Sequence, residues 1–304
     1  MLNIYTENFF VLNRIKNFIK ILLGMQNRGP KAVEDSLLRG LEELSYSYEI
    51  NFRRLPINLA CVISGSQTLR WAIEQKKKGL IKKIIAGPNM VVFPEDSGGV
   101  LTDPAVDVVV VPSLWVKNLY CRLAPKLGGK IRIWPAGIAV PKMIAKEKKF
   151  DFLVYDKTKA STLRSEITNY LKKQGYKFKI LTYGQFQQAE YFELLEESKY
   201  EIYLSQSESQ GLGVFEAWAR NVPALVWERG YFEYKGFRLD ARAASPYLAP
   251  QTGNSFRDFA DFPKQLEVFL LASHEPRRYM LENFTDTICA QKYLDIVHET
   301  QNNK

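Results

Sequence analysis

The sequence predicts an α/β protein of two Rossmann-like domains, each built on an open parallel sheet. Three observations carry that expectation. Apolar strand-like runs alternate with helical stretches along the chain, the order that parallel α/β units require. One run, Val108-Val109-Val110-Val111, is continuously β-branched, as suits a strand covered on both faces. Near the middle, the proline-bounded segment Pro135 to Pro141 (PAGIAVP) interrupts the series. It is followed by the lysine-rich stretch Lys142 to Lys149, which keeps a domain connection in water.

Taken in order, strands are expected at Ile19 to Leu23, Ile57 to Ile63, Ile81 to Ala86, Val106 to Val111 and Lys130 to Trp134. Between them Val33, Leu37, Leu38, Leu41 and Leu44 recur at helical spacing, and Leu69 to Lys78 and Leu114 to Leu123 are shorter helical stretches. After the junction come a strand at Phe152 to Tyr155, a helix from Leu163 to Gln174 closed by Gly175, and a strand at Phe178 to Thr182. A helix at Phe186 to Glu197, a strand at Ile202 to Ser205, a helix at Val214 to Ala219 and a strand at Ala224 to Trp227 follow. Phe262 to Ser273 and residues 278–299 read as helices. The domains are therefore placed at residues 1–141 and 142–283, with residues 284–304 a last helix packing back toward the first domain. Open parallel sheets bind ligands at the carboxyl ends of their strands, and two in tandem imply a cleft between them.

Composition narrows the function. The chain has 304 residues, 46% of them hydrophobic and 25% charged, enough for two cores of ordinary domain size. No apolar run reaches the roughly 20 residues that span a bilayer, and the first residues lack the ordered parts of a secretory signal. Cys61, Cys121 and Cys289 are widely separated, with no metal-binding spacing, and an odd number of thiols suits a reducing cytoplasm. The net charge of +9 sits in clusters such as Lys76-Lys77-Lys78, Lys82-Lys83 and Lys172-Lys173 near helix ends, where a solvated face explains them. No nucleic-acid-binding signature accompanies them, so nucleic acid is not expected as a partner. Phe9 to Leu23 mixes large apolar side chains with Arg14, Lys16 and Lys20. It reads either as a helix and strand of the core or as a basic amphipathic face lying on an anionic membrane.

The most informative stretch is SQSESQGLGVFEAWARNVPALVW, residues 205–227. It runs strand, glycine loop, helix, proline turn, strand. Glu208 lies in the loop, with Ser209 and Gln210 after it, and Glu216 follows on the first turns of the helix. Gly211 and Gly213 let backbone amides approach a ligand closely. A helix N-terminus with unpaired N–H groups favours an anion such as a diphosphate, and a carboxylate accepts paired hydrogen bonds from vicinal sugar hydroxyls. A nucleotide sugar has that combination of groups.

This segment resembles the Glu-x7-Glu region of the retaining glycosyltransferases of GT-B fold, glycosyltransferase family 4. The family's usual form is a Ser-x-x-Glu-Gly-Phe-Gly-like loop, then Glu-Ala and a proline-led strand. PAGIA at 135–139 resembles the family's Pro-Asn-Gly-Val-Asp junction, and TGNSF at 252–256 its Thr-Gly-x-x-Phe, so that together they cover most of residues 130–270.

The resemblance implies a hexosyltransferase-type enzyme that takes a sugar from a UDP- or GDP-sugar held by the C-terminal domain. The acceptor, a glycan, a lipid-linked group or a protein, falls to the N-terminal domain. By the resemblance Glu216 holds the ribose hydroxyls, Glu208 faces the transferred sugar, and the backbone of Gly211, Leu212 and Gly213 contacts the sugar or its phosphates. The family's Arg and Lys after the first C-terminal strand are replaced by LVYDKTK, in which Lys157 is the nearest substitute, with Lys159 and Arg164 behind it. Lys157 reads equally as a surface lysine. No cofactor is expected, and no Asp-x-Asp occurs to hold a divalent metal against a diphosphate. His274 and His298 are the only histidines, so the N-terminal domain has no histidine base. The implied chemistry is front-face displacement, in which positioning and charge stabilisation dominate.

In the first half, Arg28-Gly29-Pro30-Lys31 stands where relatives carry a phosphate-approaching loop, although it also reads as a turn and helix start. Ser64-Gly65-Ser66 and Gly87-Pro88-Asn89 end predicted strands, and either turn chemistry or ligand contact accounts for them. Two other readings of the chain stand beside the transferase. A nucleotide-sugar epimerase on the same scaffold would call for histidines that residues 1–273 lack, and a non-catalytic sugar-nucleotide-binding protein fits the altered phosphate cations.

Overall fold

The structure is a computed structural model that describes residues 1–10, 13, 28–143, 146–158 and 162–302. It divides into two compact units, Met1–Gly137 with Asp286–Lys304, and Ile138–Thr285. The strand expected at Ile19 to Leu23, most of the amphipathic stretch Phe9 to Leu23, and Lys159 lie outside the described residues.

The first unit is built on six parallel strands: β1 (Leu2–Tyr5), β2 (Tyr48–Ile50), β3 (Ile57–Ser64), β4 (Ile81–Asn89), β5 (Val108–Val111) and β6 (Ile131–Ile133), in the spatial order β2-β1-β3-β4-β5-β6. The β-branched run Val108–Val111 is buried throughout, as a strand covered on both faces must be. The sheet starts at β1, which the sequence reading passed over. Its four residues, LNIY, include an asparagine and are too short to register as an apolar run. Helices α1 (Arg28–Glu43), α2 (Ser66–Lys77) and α3 (Leu114–Leu123) complete this part of the unit. Arg28, Gly29, Pro30 and Lys31 form the first turn of α1 rather than a loop before it. Proline is tolerated there because first-turn N–H groups have no intrahelical partner.

The second unit carries five parallel strands: β7 (Phe150–Asp156), β8 (Phe178–Thr182), β9 (Ser198–Leu204), β10 (Ala224–Trp227) and, beyond a small antiparallel hairpin of β11 (Tyr231–Tyr234) and β12 (Phe237–Asp240), β13 (Gly253–Phe256). Their order is β13-β10-β9-β7-β8. Helices α4 (Thr162–Lys173), α5 (Gln188–Glu197), α6 (Leu212–Ala219), α7 (Phe262–Leu271) and α8 (Pro276–Asn283) belong to the same unit. Ile167 and Leu171 of α4 and Phe262, Leu266 and Phe269 of α7 pack on Phe152, Val154, Ile202, Leu204 and Leu225 of the sheet. The single helix expected over residues 278–299 is two. It is broken at Phe284 and Thr285, where Thr285 pairs with Ile138. The last piece, α9 (Asp286–Asn302), packs against α1 in the first unit, and the Trp134 indole donates to the Cys289 carbonyl at 2.7 Å.

Several of the lysines that raise the net charge are paired, including Lys76 with Asp107, Lys77 with Asp103, Lys146 with Glu196 and Lys149 with Glu197. Both sheets have a topological switch point, where the chain leaves the first strand in one direction and returns on its other side. In the first sheet it lies between β1 and β3, in the second between β7 and β9. The carboxyl ends of such a strand pair open a crevice that ligands use.

Candidate functional site

At the switch point of the second sheet the register places Tyr155 beside Tyr203 and Asp156 beside Leu204. The two tyrosine rings stack with centroids 5.2 Å apart and planes 5° from parallel. They form a floor beneath the loop that follows β9. Glu208 sits on it. Its Oε1 accepts from Tyr203 Oη at 2.9 Å and Ser205 Oγ at 2.8 Å, and pairs with Lys157 Nζ at 2.5 Å. Lys157 follows β7 directly, and its ammonium also lies over the Tyr183 ring, 4.6 Å from the centroid. The carboxylate and ammonium that the sequence reading singled out thus converge, and both side chains are largely buried.

Behind Glu208 the chain turns into α6. Ser209 is exposed, Gln210 is buried, and Gly211 takes the N-cap position at φ +91 with no side-chain cap. A Cβ at Gly211 would lie 3.3 Å from Val214 Cγ1 in a left-handed conformation, so the turn calls for glycine on both counts. Among the described residues no side-chain cap meets the amides of Leu212 and Gly213 that open the helix, a setting that favours an anion. Gly213 rests on the tyrosines, its Cβ position 3.3 Å from Tyr203 Oη. One turn on, Glu216 is half-buried and accepts from Gln188 Nε2 of α5 at 2.6 Å.

Arg164 reaches the end of β7 from α4. Its Nη1 lies 3.1 Å from the fully buried Asp156, whose other oxygen accepts from the amide and hydroxyl of Thr158. Asp156 thus ties the loop after β7 to α4.

The first unit gathers a separate set. At the ends of β1 and β3, Ser64 Oγ accepts from the Glu7 amide at 3.0 Å and donates to Glu34 at 2.5 Å. Burial pushes the Glu34 carboxyl above its ordinary value. The Ser64 hydrogen bond opposes the rise, and the Glu7 charge adds to it. The Gly65 amide N–H donates to the Asn89 carbonyl at 3.3 Å, and Asn89 Nδ2 donates to the Pro30 carbonyl at 3.1 Å. Ser64, Gly65 and Asn89 are therefore neighbours, with the start of α1 among them. Gly29 is exposed on that first turn, with nothing among the described residues within 4 Å of its Cβ position.

Glu7, Glu34, Gln188, Tyr155, Tyr203 and Tyr191 were not singled out from sequence. Their roles depend on strand register and helix packing, which no local pattern encodes. Glu201 did leave a signal, as a carboxylate inside the apolar strand YEIYL.

No family model matches the chain, and no curated protein matches it by sequence. Solved structures match by fold. They include the lipopolysaccharide outer core galactosyltransferase WaaB in its apo form, with a TM-score of 0.57 at 12% identity over 88% of this chain and 79% of that one. The catalytic domain of starch synthase IV from Arabidopsis thaliana, bound to ADP and acarbose, gives 0.51 at 10% identity over 88% and 78%. Sucrose-phosphate synthase from Thermosynechococcus elongatus gives 0.51 at 13% over 89% and 77%. The α/β fold with two parallel sheets is that of the GT-B glycosyltransferases, as the sequence predicts.

Proposed function

We propose that the protein is a retaining glycosyltransferase of glycosyltransferase family 4 that transfers a hexosyl group from a UDP- or GDP-sugar to a glycan, lipid-linked or protein acceptor, without a metal ion. One observation carries the reading. Glu208, Lys157 and the uncapped start of α6 converge at the carboxyl ends of β7 and β9, the crevice where an open parallel sheet receives a nucleotide. The fold shared with transferases supports it, and the starch synthase domain among them binds ADP.

In this reading the diphosphate lies at the α6 amides and Lys157, which together balance the charge that develops as the sugar leaves. Glu216, steadied by Gln188, accepts from the ribose hydroxyls. Glu208, held by Tyr203 and Ser205, lies beside the transferred sugar. The leaving phosphate oxygen takes the acceptor proton on the front face, so the protein supplies position and charge rather than a separate base. Ser64, Gly65 and Asn89 serve the acceptor side in the first unit. The location proposed is cytoplasmic. Among the described residues no helix is long and apolar enough to cross a membrane.

A panel of UDP-, GDP- and ADP-sugars, assayed for donor hydrolysis and transfer, tests the proposal. Glu208→Gln is expected to lower turnover by about 100-fold or more, the scale of losing one stabilising group beside a reacting centre. Glu216→Gln is expected to weaken donor binding with a smaller effect on turnover once donor saturates. Chelator is expected to change neither. Absence of binding and turnover for every donor, with both variants equal to the parent, would overturn it.

A further inference from the structure

Beneath the donor loop lies a buried acid that the reading above leaves unused. Glu201 on β9 is fully buried. Its Oε1 lies 2.8 Å from Tyr191 Oη, and among the described residues nothing hydrogen-bonds its Oε2. Tyr191, on α5 and equally buried, places the same hydroxyl 2.8 Å from the main-chain oxygen of Gly213. A phenol has one proton, so it cannot donate to both a carboxylate and a carbonyl. If Glu201 were ionised, its carboxylate would be the stronger acceptor and would take that proton from Gly213. It would also leave a charged oxygen buried without a partner, which costs more than a neutral one.

The first difficulty disappears and the second shrinks if the acid keeps its proton, because Oε2 is then a neutral carbonyl oxygen. We propose that Glu201 is a neutral carboxylic acid that donates to Tyr191, so that Tyr191 donates to Gly213 and positions the first turn of α6 for the donor diphosphate. The groups around the pair favour this state. Glu216 on α6 adds negative charge, and Tyr155 and Tyr203 present hydroxyls from β7 and β9. Arg220 faces Glu196, Glu216 and Tyr191, and Lys157 pairs with Glu208. Burial pushes the Glu201 carboxyl up to about 8, with the Tyr191 hydrogen bond opposing the rise and the Glu216 charge adding to it. The acid is a positioning residue. It reaches the donor only through Tyr191 and the helix start, and its role in donor binding rests on the transferase reading.

Two measurements on the full chain separate this proposal from that reading. Infrared difference spectra between the parent and Glu201→Gln report the protonation state whatever the protein binds. A protonated carboxyl band is expected at neutral pH and is expected to vanish as pH rises past about 8, the value to which burial pushes this carboxyl. An ionised carboxylate at neutral pH would overturn the proposal. Calorimetric titration with UDP and GDP reads the positioning. Parent affinity is expected to fall about fivefold across the alkaline range, the equivalent of one net hydrogen bond. Glu201→Gln, whose amide N–H still donates to Tyr191, is expected to hold its affinity there, and Tyr191→Phe to be weak at every pH. Parent and Glu201→Gln weakening together would overturn the positioning role. If the band is present but neither nucleotide binds the parent, the transferase reading fails and the neutral acid stands.

Discussion

At the scale of single residues, the candidate site is a set of acids in different surroundings. Glu208 is paired with Lys157 and hydrogen-bonded by Tyr203 and Ser205, whereas Glu201 is buried with a phenol for company. That difference has a consequence for stability. The Glu201 carboxyl is raised from 4.5 to about 8 by folding, so between those values the folded chain holds a proton that the unfolded chain has released. Its contribution to stability is therefore fullest below about 4.5 and is lost as pH rises toward 8. Glu201→Gln has no such proton to lose. Its Tm relative to the parent is expected to climb across that window and to level off above it, in thermal unfolding at a series of pH values. A difference that stayed constant across the window would show that the folded chain holds no extra proton. Glu208 of the loop and Glu216 of α6 were legible in sequence because a strand, paired glycines and a helix start surround them. The side chains that hold them were not. Tyr203 reaches Glu208 from the floor it shares with Tyr155, an arrangement set by the β7 and β9 register, and Gln188 reaches Glu216 through the packing of α5 on α6.

At the scale of elements, continuous apolar or periodic patterns were readable and short mixed ones were not. Leu114–Leu123, Phe178–Thr182 and Ala224–Trp227 fall where the sequence puts them, because helical periodicity or an apolar run ends in a clear break. β1, β2 and the β11–β12 hairpin have three or four residues each and hold their places by pairing, so nothing local announces them. The contact between α1 and α9 shows the same limit from the other side. Gly40 lies in the last turn of α1, where glycine costs up to about 1 kcal/mol relative to alanine. Its Cβ position falls 2.2 Å from the Asp286 carbonyl oxygen and 2.6 Å from Ala290 Cβ. The two helices approach so closely that only a hydrogen fits. Arg39 fixes the same spot by pairing with Asp286 at 2.7 Å. Gly40→Ala would gain helix propensity but must push backbone aside, and overpacking of that kind costs roughly 1–3 kcal/mol. The clash is expected to win, with a Tm several degrees below the parent by differential scanning calorimetry. An unchanged or raised Tm would mean that α9 can shift without loss.

At the scale of the whole molecule, the chain order and the units do not coincide. The second unit is one continuous piece, Ile138–Thr285, while the first is completed only by residues 286–304, after the second has been made. Helix α9 brings Tyr293, Leu294, Ile296 and Val297 into the first unit's interior, all buried, and accepts the Trp134 indole hydrogen bond. Full burial of four such side chains is worth roughly 6–12 kcal/mol, comparable with the entire stability of a domain, about 5–15 kcal/mol. Ending the chain after Thr285 is therefore expected to abolish the folding of the first unit and to leave the second able to unfold cooperatively. In the donor-site reading, Lys157, Glu208, Glu216 and the start of α6 all belong to that second unit. A nucleotide at about 100 times its Kd stabilises what it binds by about 2.7 kcal/mol, so UDP or GDP is expected to raise the remaining transition of the shortened chain by several degrees. Two results would count against the argument. A first-unit transition that survived the truncation would show α9 to be dispensable. A remaining transition that no longer responded to a nucleotide active on the full chain would show that the donor site needs groups from both units.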